Sequence, residues 1–225
     1  YFAMAQQDVR HYLNGTYLDI GKQAITCVAA DGHRLALAAL EDEAIGDASA
    51  RVIVPRKSVL ELIRLLASET EQTVTLYLAD ARFRMVTNDF IFTSKLINAQ
   101  YPDYTRLIPR GTTVALGDRD AIKQALTRAS ILCNEKFRGV RFQIEPNTLR
   151  ISANNADQEH AEEALGVEYA GDKMEIGFNV VYLLDIVSAI ATKTIRFVFT
   201  GPGDGVLIEP AEGDVGRYVV MPLRL

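Results

Sequence analysis

The chain has 225 residues, 48% of them apolar, with 24 basic against 29 acidic side chains and a net charge of −5. So large an apolar share supplies two cores and argues against disorder. The mild acidity holds on both sides of Pro109 (11 basic and 13 acidic residues up to it, 13 and 16 after it), which disfavours a protein that grips nucleic acid through bulk charge.

In chain order, the first readable strands are Gly15–Ile20 and Ile25–Ala29, then the turn signal Asp31-Gly32 and a third run, Leu35–Leu40. Val52–Val54 is a short strand, and Pro55 stands near a helix start, where its missing N–H is harmless. Val59, Leu62, Ile63 and Leu66 then form one apolar helical stripe, with Lys57, Glu61 and Arg64 on the other face. Strands over Thr73–Leu78, Arg82–Val86 and Phe90–Leu96 follow, and Ala99–Thr113, with Pro102, Pro109 and Gly111, reads as a linker. Arg119–Leu132 carries Ile122, Leu126, Ala129 and Leu132 at helical spacing. The pattern then repeats: strands over Val140–Ile144, Leu149–Ala153, Ala161–Val167 and Glu175–Phe178, and a helix with Leu183, Ile186, Val187 and Ile190 inward. Strands over Thr194–Phe199, Val206–Ile208 and Tyr218–Met221 close the chain, with the glycine-rich Gly201–Gly205 as a plain hairpin loop.

The second half resembles the first at one offset. Leu13–Leu18 aligns with Phe137–Phe142, Ile25–Gly32 with Leu149–Ala156 and Val59–Ile63 with Leu183–Val187, each 124 residues apart. A self-match at fixed spacing marks a duplicated structural unit. Two copies at that offset need 248 residues against the 225 present, so the first copy is expected to start short, with half of its first helix ending near Asp8. The predicted class is α+β, with two helices per copy packed on one side of mostly antiparallel sheet, and the predicted domains are 1–104 and 105–225. No signal peptide is visible and the chain does not open on Met, so it reads as a piece of a longer protein. Cys27 and Cys133 fall at different points of the repeat and read as free buried thiols, which points to a cytosolic protein. No apolar run approaches membrane-spanning length.

Catalytic signals are weak. A hydrolase would have to use His33 with Asp31, but Asp-x-His is common and no Gly-x-Ser-x-Gly elbow accompanies it. No Cys/His spacing fits zinc and no phosphate-binding loop occurs, so neither metal nor cofactor is expected. The acidic run Gln158–Glu163 reads as an exposed edge segment, either solvated or an interaction surface. The ending Tyr218–Leu225 is apolar beyond its proline, and such a tail needs a surface to lie on or a partner.

Long motifs carry a family resemblance. They are Asp8–Gly15, Asp31–Leu35, Val54–Lys57, Phe92–Leu96, Tyr101–Tyr104, Asn134–Arg141 and Val220–Leu225. Together they resemble the bacterial DNA polymerase III β sliding clamp family, in order and over the whole chain. That family has three copies of this domain per chain; this sequence would hold the second, lacking its beginning, and the third. The resemblance implies a non-catalytic processivity factor: a head-to-tail homodimeric ring around duplex DNA that tethers replicative and repair polymerases and the clamp loader. Twelve helices of about 10 Å give a circumference of roughly 120 Å and a hole about 38 Å across, wide enough for duplex DNA without sequence readout. It also implies a cytoplasmic, nucleoid-associated bacterial protein.

Three sets of residues follow from the resemblance. The family's peptide pocket, between its second and third domains, matches Leu13, Ala30, Gly32, His33, Arg34, Leu35 and Pro102, then Arg106, Leu107, Asn179 and Tyr182. The tail adds Val219, Val220, Met221, Pro222, Leu223 and Arg224. Ala30 stands where relatives often have threonine, and Leu107 replaces valine at little change in volume. The DNA-facing set is Gln7, Arg10, His11, Tyr12, Arg56 and Lys57, with His11 where many relatives carry tyrosine. The ring contact matches Ile131, Leu132 and Phe137 for its apolar part and Glu159, Glu162 and Glu163 for its acidic part.

Overall fold

A computed structural model describes residues 1–21, 23–45, 49–68, 73–79, 81–213 and 216–224; Leu225, the end of the predicted tail, lies outside them. Contacts divide the chain into two compact units, Tyr1–Tyr104 and Thr105–Leu225. Both are α+β.

In the first unit, β1 (Gly15–Gly21), β2 (Ala24–Ala30), β3 (Arg34–Glu41) and β4 (Ala50–Pro55) form an antiparallel sheet in the order β3-β2-β1-β4. Helix α1 (Arg56–Leu66) follows directly. Pro55 occupies its N-cap without a side-chain cap, and the backbone N–H of Arg56 is satisfied by the Asn14 carbonyl at 2.9 Å. Strands β5 (Thr75–Ala79), β6 (Arg82–Val86) and β7 (Ile91–Lys95) make a second antiparallel sheet. Val54, Leu62, Phe83 and Met85 are buried together, and Val59, Leu66 and Phe92 pack on them. The predicted stripe of α1 is therefore only partly inward: Ile63 is 45% exposed.

The expected half-helix ending near Asp8 does not form. Residues 1–10 are turns and bends, followed by a short 3-10 turn over His11–Leu13. Gln7 has φ 58°, incompatible with a right-handed helix, and one isolated turn cannot meet the cost of nucleation. Ala3 and Met4 are instead buried against Ala29.

The second unit begins with β8 (Thr113–Asp118), a strand absent from the sequence reading, and α2 (Arg119–Ile131). Asp118 caps α2 by accepting the Ala121 N–H at 2.9 Å. Next come β9 (Gly139–Glu145), β10 (Thr148–Asn154), β11 (His160–Gly166), the two-residue β12 (Glu168–Tyr169) and β13 (Met174–Asn179), then α3 (Val180–Ala189). Strands β14 (Thr194–Phe199), β15 (Val206–Pro210) and β16 (Gly216–Val220) complete the unit. One sheet runs β11-β10-β9-β13; the other holds β12-β8-β14-β15-β16. Helices α2 and α3 pack on each other, and α2 also packs on β8, β10 and β11. Ile122, Leu126, Ala129, Leu183, Ile186, Val187 and Ile190 are all buried. Among the described residues no helix is long and apolar enough to cross a membrane.

The repeat is structural. β1 and β9, β2 and β10, β4 and β13, and α1 and α3 each begin 124 residues apart, and β1 pairs with β2 and β4 as β9 pairs with β10 and β13.

Candidate functional site

The turn joining β2 to β3 is built by Asp31. One carboxylate oxygen accepts the backbone N–H groups of His33 and Arg34 at 2.9 and 3.0 Å; the other accepts Arg34 Nε at 3.0 Å. Gly32 has φ +90°, which a side chain would strain, and the Arg10 guanidinium lies over it: a Cβ there would stand 3.0 Å from Arg10 Nη2. Arg10 is itself clamped by both oxygens of Asp8 at 3.0 and 2.9 Å, and this holds the Asp8 carboxyl down at about 2. Leu13, Ala30 and Leu35 are buried beside this turn's strands, His33 is exposed and Arg34 is half-buried. Asp31 serves the turn and the guanidinium, which is a structural use of the carboxylate rather than a hydrolytic one.

Of the DNA-facing set, Gln7, Arg10, His11 and Lys57 are exposed and Tyr12 is half-buried. Arg56, at the start of α1, donates Nη1 to the carbonyls of Tyr1 and Met4 at 3.3 and 3.1 Å, so it fastens the amino-terminal turns. Tyr12 meets Tyr101 edge-on at 6.1 Å, and Tyr101 stacks on Tyr17 at 4.7 Å. Burial pushes the Tyr101 hydroxyl up to about 12.

The second unit carries a groove of about 550 Å³, lined by Arg106, Leu107, Pro109, Thr200, Gly205 and Met221 among others. Leu107 and Met221 are 54% and 46% exposed and give the groove an apolar display. Beyond Met221 the tail is pinned: the Leu223 N–H donates to the Gly177 carbonyl of β13 at 2.7 Å. The tail therefore has a surface within its own unit, with Pro222 and Leu223 half-buried and Arg224 exposed. Pro102, in the first unit, is exposed. Asn179 caps α3 by accepting the Val181 N–H at 2.9 Å, and Tyr182 is half-buried in its first turn. Val219 and Val220 are 3% and 0% exposed. Both are core side chains of β16.

On the opposite edge of the other sheet, β11 pairs only with β10 among the described strands. Glu163 accepts Arg128 Nε and Nη2 at 2.6 and 2.9 Å, Glu162 accepts Arg150 Nη1 at 3.2 Å, and Glu159 accepts Asn155 Nδ2 at 2.6 Å. Ile131 and Phe137 protrude at 76% and 56% exposure, and Leu132 is half-buried. The turn before Phe137 is built by Asn134, whose Oδ1 accepts the N–H groups of Lys136 and Phe137 at 3.0 and 3.2 Å. All six sequence-assigned ring residues lie on α2, the Asn134 loop, the β10–β11 loop or β11, elements of one unit.

Residues 1–103 match the description "DNA polymerase III beta subunit, central domain", and residues 105–224 match "DNA polymerase III beta subunit, C-terminal domain". The chain belongs to the DNA polymerase III beta subunit family. It is 47% identical over 225 residues to the beta sliding clamp of Pseudomonas aeruginosa and 45% identical over 227 residues to that of Escherichia coli K12. All of this chain aligns in each case, and it spans 61% of either relative's length. A crystal structure of the Pseudomonas aeruginosa beta subunit superposes with a TM-score of 0.95 at 47% identity, covering all of this chain and 62% of that one. A Pseudomonas aeruginosa sliding clamp bound to griselimycin matches with a TM-score of 0.92 at 46% identity, covering all of this chain and 61% of that one.

Within this sliding-clamp fold, the sequence reading missed the Gly201–Gly205 loop, taken as a plain hairpin. Asp204 and Gly205 line the groove from that loop and Thr200 from just before it, joined by Ile108 and Pro109 of the linker. No local pattern marks them. Gly205 enters the groove because β15 and β16 pair Val206 with Val220, which sets Gly205 across from Met221.

Proposed function

We propose that this chain is the central and C-terminal part of a bacterial processivity clamp, a non-catalytic subunit of the cytoplasm and nucleoid. The full-length protein closes as a head-to-tail homodimeric ring around duplex DNA. It tethers replicative and repair polymerases and the clamp loader through short apolar peptides. Family membership supports the reading, and the observation that carries it is the groove on the second unit, where Leu107 and Met221 are held open to solvent. A concave apolar surface with a few polar groups suits a short peptide carrying large apolar side chains.

Leu13, Ala30, Gly32, His33, Arg34, Leu35 and Pro102 of the first unit belong to the same proposed pocket, as do Arg106, Asn179, Tyr182, Val219, Val220, Pro222, Leu223 and Arg224 of the second. Gln7, Arg10, His11, Tyr12, Arg56 and Lys57 are proposed to face the DNA backbone. With Arg10 paired to Asp8 and Arg56 holding carbonyls, that contact is weak and sequence-independent, as sliding requires. Ile131, Leu132 and Phe137 with Glu159, Glu162 and Glu163 are proposed as the ring-closing surface, a heterologous contact for an apolar, basic patch on the other chain.

A fluorescent peptide of the form Gln-Leu-x-Leu-Phe tests the pocket by anisotropy. It is expected to bind this chain, with Met221→Ala weakening binding about tenfold and Leu223→Ala several-fold, as truncated apolar anchors do. A peptide that fails to bind, or that binds both variants as it binds the parent, rules the pocket out.

A further inference from the structure

The β5-β6-β7 sheet has one face packed on α1 and one face open, and the open face is basic. Side chains alternate along β6: Phe83 and Met85 are buried with Leu62 of α1, while Arg82 and Arg84 stand on the opposite face, exposed. Register places Tyr77 of β5 and Thr93 of β7 on either side of Arg84, and Lys95 of β7 directly opposite Arg82. Two like charges thus face each other with Cβ atoms about 5 Å apart, an arrangement that destabilises a sheet, and Arg84 is diagonal to Lys95. β5, β6 and β7 contain no acidic residue, and the three cationic side chains make no ion pair among the described residues. Asp89, in the β6–β7 turn, lies at the other end of the strands, beyond the Val86–Ile91 pair. The strands that follow α3 are arranged otherwise. On their middle strand, β15, Glu209 pairs with Arg196 of β14 and lies 3.8 Å from Arg217 Nε of β16, so one carboxylate serves two guanidinium groups. The fold therefore does not require an unbalanced face, and in a chain of net charge −5 an exposed like-charge pair serves no folding purpose.

We infer that this face docks an acidic protein segment: an extended stretch with two carboxylates two residues apart and a large apolar side chain at the next such step. The spacing follows from β6, where Arg82, Arg84 and Val86 succeed one another about 6.8 Å apart on one face, the repeat of alternate residues in any extended peptide. The apolar half of the ligand is set by what adjoins the cations. Ile91, opposite Val86, is 61% exposed, and Tyr77, opposite Arg84, is 56% exposed. Tyrosine and arginine are the side chains that most often anchor protein–protein contacts. A single-stranded nucleic acid would use the cations and stack on Tyr77, but would leave Ile91 and Val86 uncovered. A segment that is both acidic and apolar uses all of them. The face shares no residue with the proposed peptide pocket, DNA-facing set or ring-closing surface, so the inference stands apart from those readings.

The test titrates a fluorescein-labelled peptide, Glu-Thr-Glu-Thr-Leu-Thr-Leu, with the whole chain and reads anisotropy. The peptide is expected to bind at low ionic strength with a Kd on the order of 10–100 μM and to weaken several-fold at physiological salt. Arg84→Glu is expected to weaken it about tenfold or more and Ile91→Ser several-fold, while both variants bind the Gln-Leu-x-Leu-Phe peptide as the parent does. Arg84→Gln keeps a long polar side chain and stands in should the reversed charge disturb the sheet. Arg82→Thr removes the like-charge pair, so it is expected to weaken the acidic peptide while the urea midpoint of the first unit stays level or rises. A clear fall in that midpoint would make Arg82 a structural residue and overturn the inference. Absence of binding at millimolar chain, or equal binding by parent and Arg84→Glu, also overturns it. So does a peptide with serine for both leucines that binds as well as the original, because the face would then be reading charge alone. An oligothymidine strand that binds more tightly than the peptide, and is lost in the same variants, replaces the protein segment with nucleic acid and overturns the assignment.

Discussion

Helices α1 and α3 hold equivalent places in two copies of one fold, yet they are buried to very different degrees. Val187 of α3 is fully buried and its counterpart Ile63 of α1 is 45% exposed; Ile190 is 1% exposed while its counterpart Leu66 is half-buried. The same contrast runs through the strands. β14 pairs with β8 on one side and β15 on the other, and buries Ile195, Phe197, Val198 and Phe199. β5 pairs only with β6 among the described strands, exposes Tyr77 at 56%, and borders a groove of about 590 Å³ lined by Ile20, Ile25, Leu40 and Leu76 among others. In the second unit β8 and α2 fill these places; no described element of the first unit does. Burial is thus a property of neighbours. The apolar pattern on α1 states which face wants cover and does not by itself provide it.

One pair of substitutions puts the largest strain on this comparison. Val187→Asp places a carboxylate at a fully buried position of α3, and is expected to cost about 4 kcal/mol or more and to abolish cooperative unfolding of the second unit. Ile63→Asp at the matching position of α1 is expected to shift stability by less than about 1 kcal/mol. Urea unfolding followed by circular dichroism, with hydrogen exchange to separate the units, reads both. Comparable losses at the two positions would mean that α1 is covered in solution, and the contrast would collapse.

The outer faces of the two copies differ as well. Tyr17 of β1 stacks on Tyr101, whereas the matching residue of β9 is Arg141, paired with Glu175 at 2.9 Å. The Tyr101 hydroxyl is buried, has no hydrogen-bond partner among the described residues and is pushed up to about 12 by desolvation. Above pH 10 the unfolded chain releases this proton while the folded chain keeps it, so stability falls as pH rises from about 10 to 12. Tyr101→Phe is expected to flatten that slope in urea titrations at pH 10 to 11. At neutral pH it should be neutral or slightly stabilising, since it removes a buried unpaired hydroxyl. Absorbance at 295 nm should show one tyrosine titrating later than the rest; a parent protein without a late tyrosine would remove the aromatic face from the comparison.

The strands were legible because alternation and turn residues are local signals: Asp31-Gly32 and the flanking runs locate β2 and β3 to within a residue or two. Ile63 was misplaced because helical periodicity defines a stripe and not its partner. The amino-terminal half-helix failed because the repeat predicted it by analogy, while Gln7 has a left-handed backbone. β8 was overlooked because Val114 and Leu116 follow directly on a linker rich in proline and glycine. At the candidate site, the motif-bearing residues could be assigned by resemblance, but Gly205 could not. Its place in the groove comes from a neighbour on the next strand, and a glycine in a glycine-rich loop carries no trace of that pairing.

The smallest effect tests a strap that the second unit has and the first lacks. Arg128, in the last turn of α2, holds both oxygens of Glu163 on β11; the matching residues of the first unit are Met4, which is buried, and Ala39 of β3. Arg128 holds the Glu163 carboxyl below the usual carboxylate range by hydrogen bonding first and by charge second. A depressed carboxylate contributes stability that is complete above its unfolded value of 4.5 and disappears as pH falls through the folded one. Arg128 is solvent-exposed and Glu163 only half-buried, so the contribution is modest and screened by salt. Glu163→Gln is therefore expected to lower stability slightly at pH 7 and low ionic strength. The gap from the parent chain should narrow in molar salt and close under acid conditions. Arg128→Lys, with Glu163 kept, should retain only part of the pair's contribution, because an ammonium cannot reproduce the two-pronged geometry. A gap that persists unchanged in acid and in molar salt would mean that the side-chain amide disturbs packing of β11, and that α2 is held to the edge strand without help from charge.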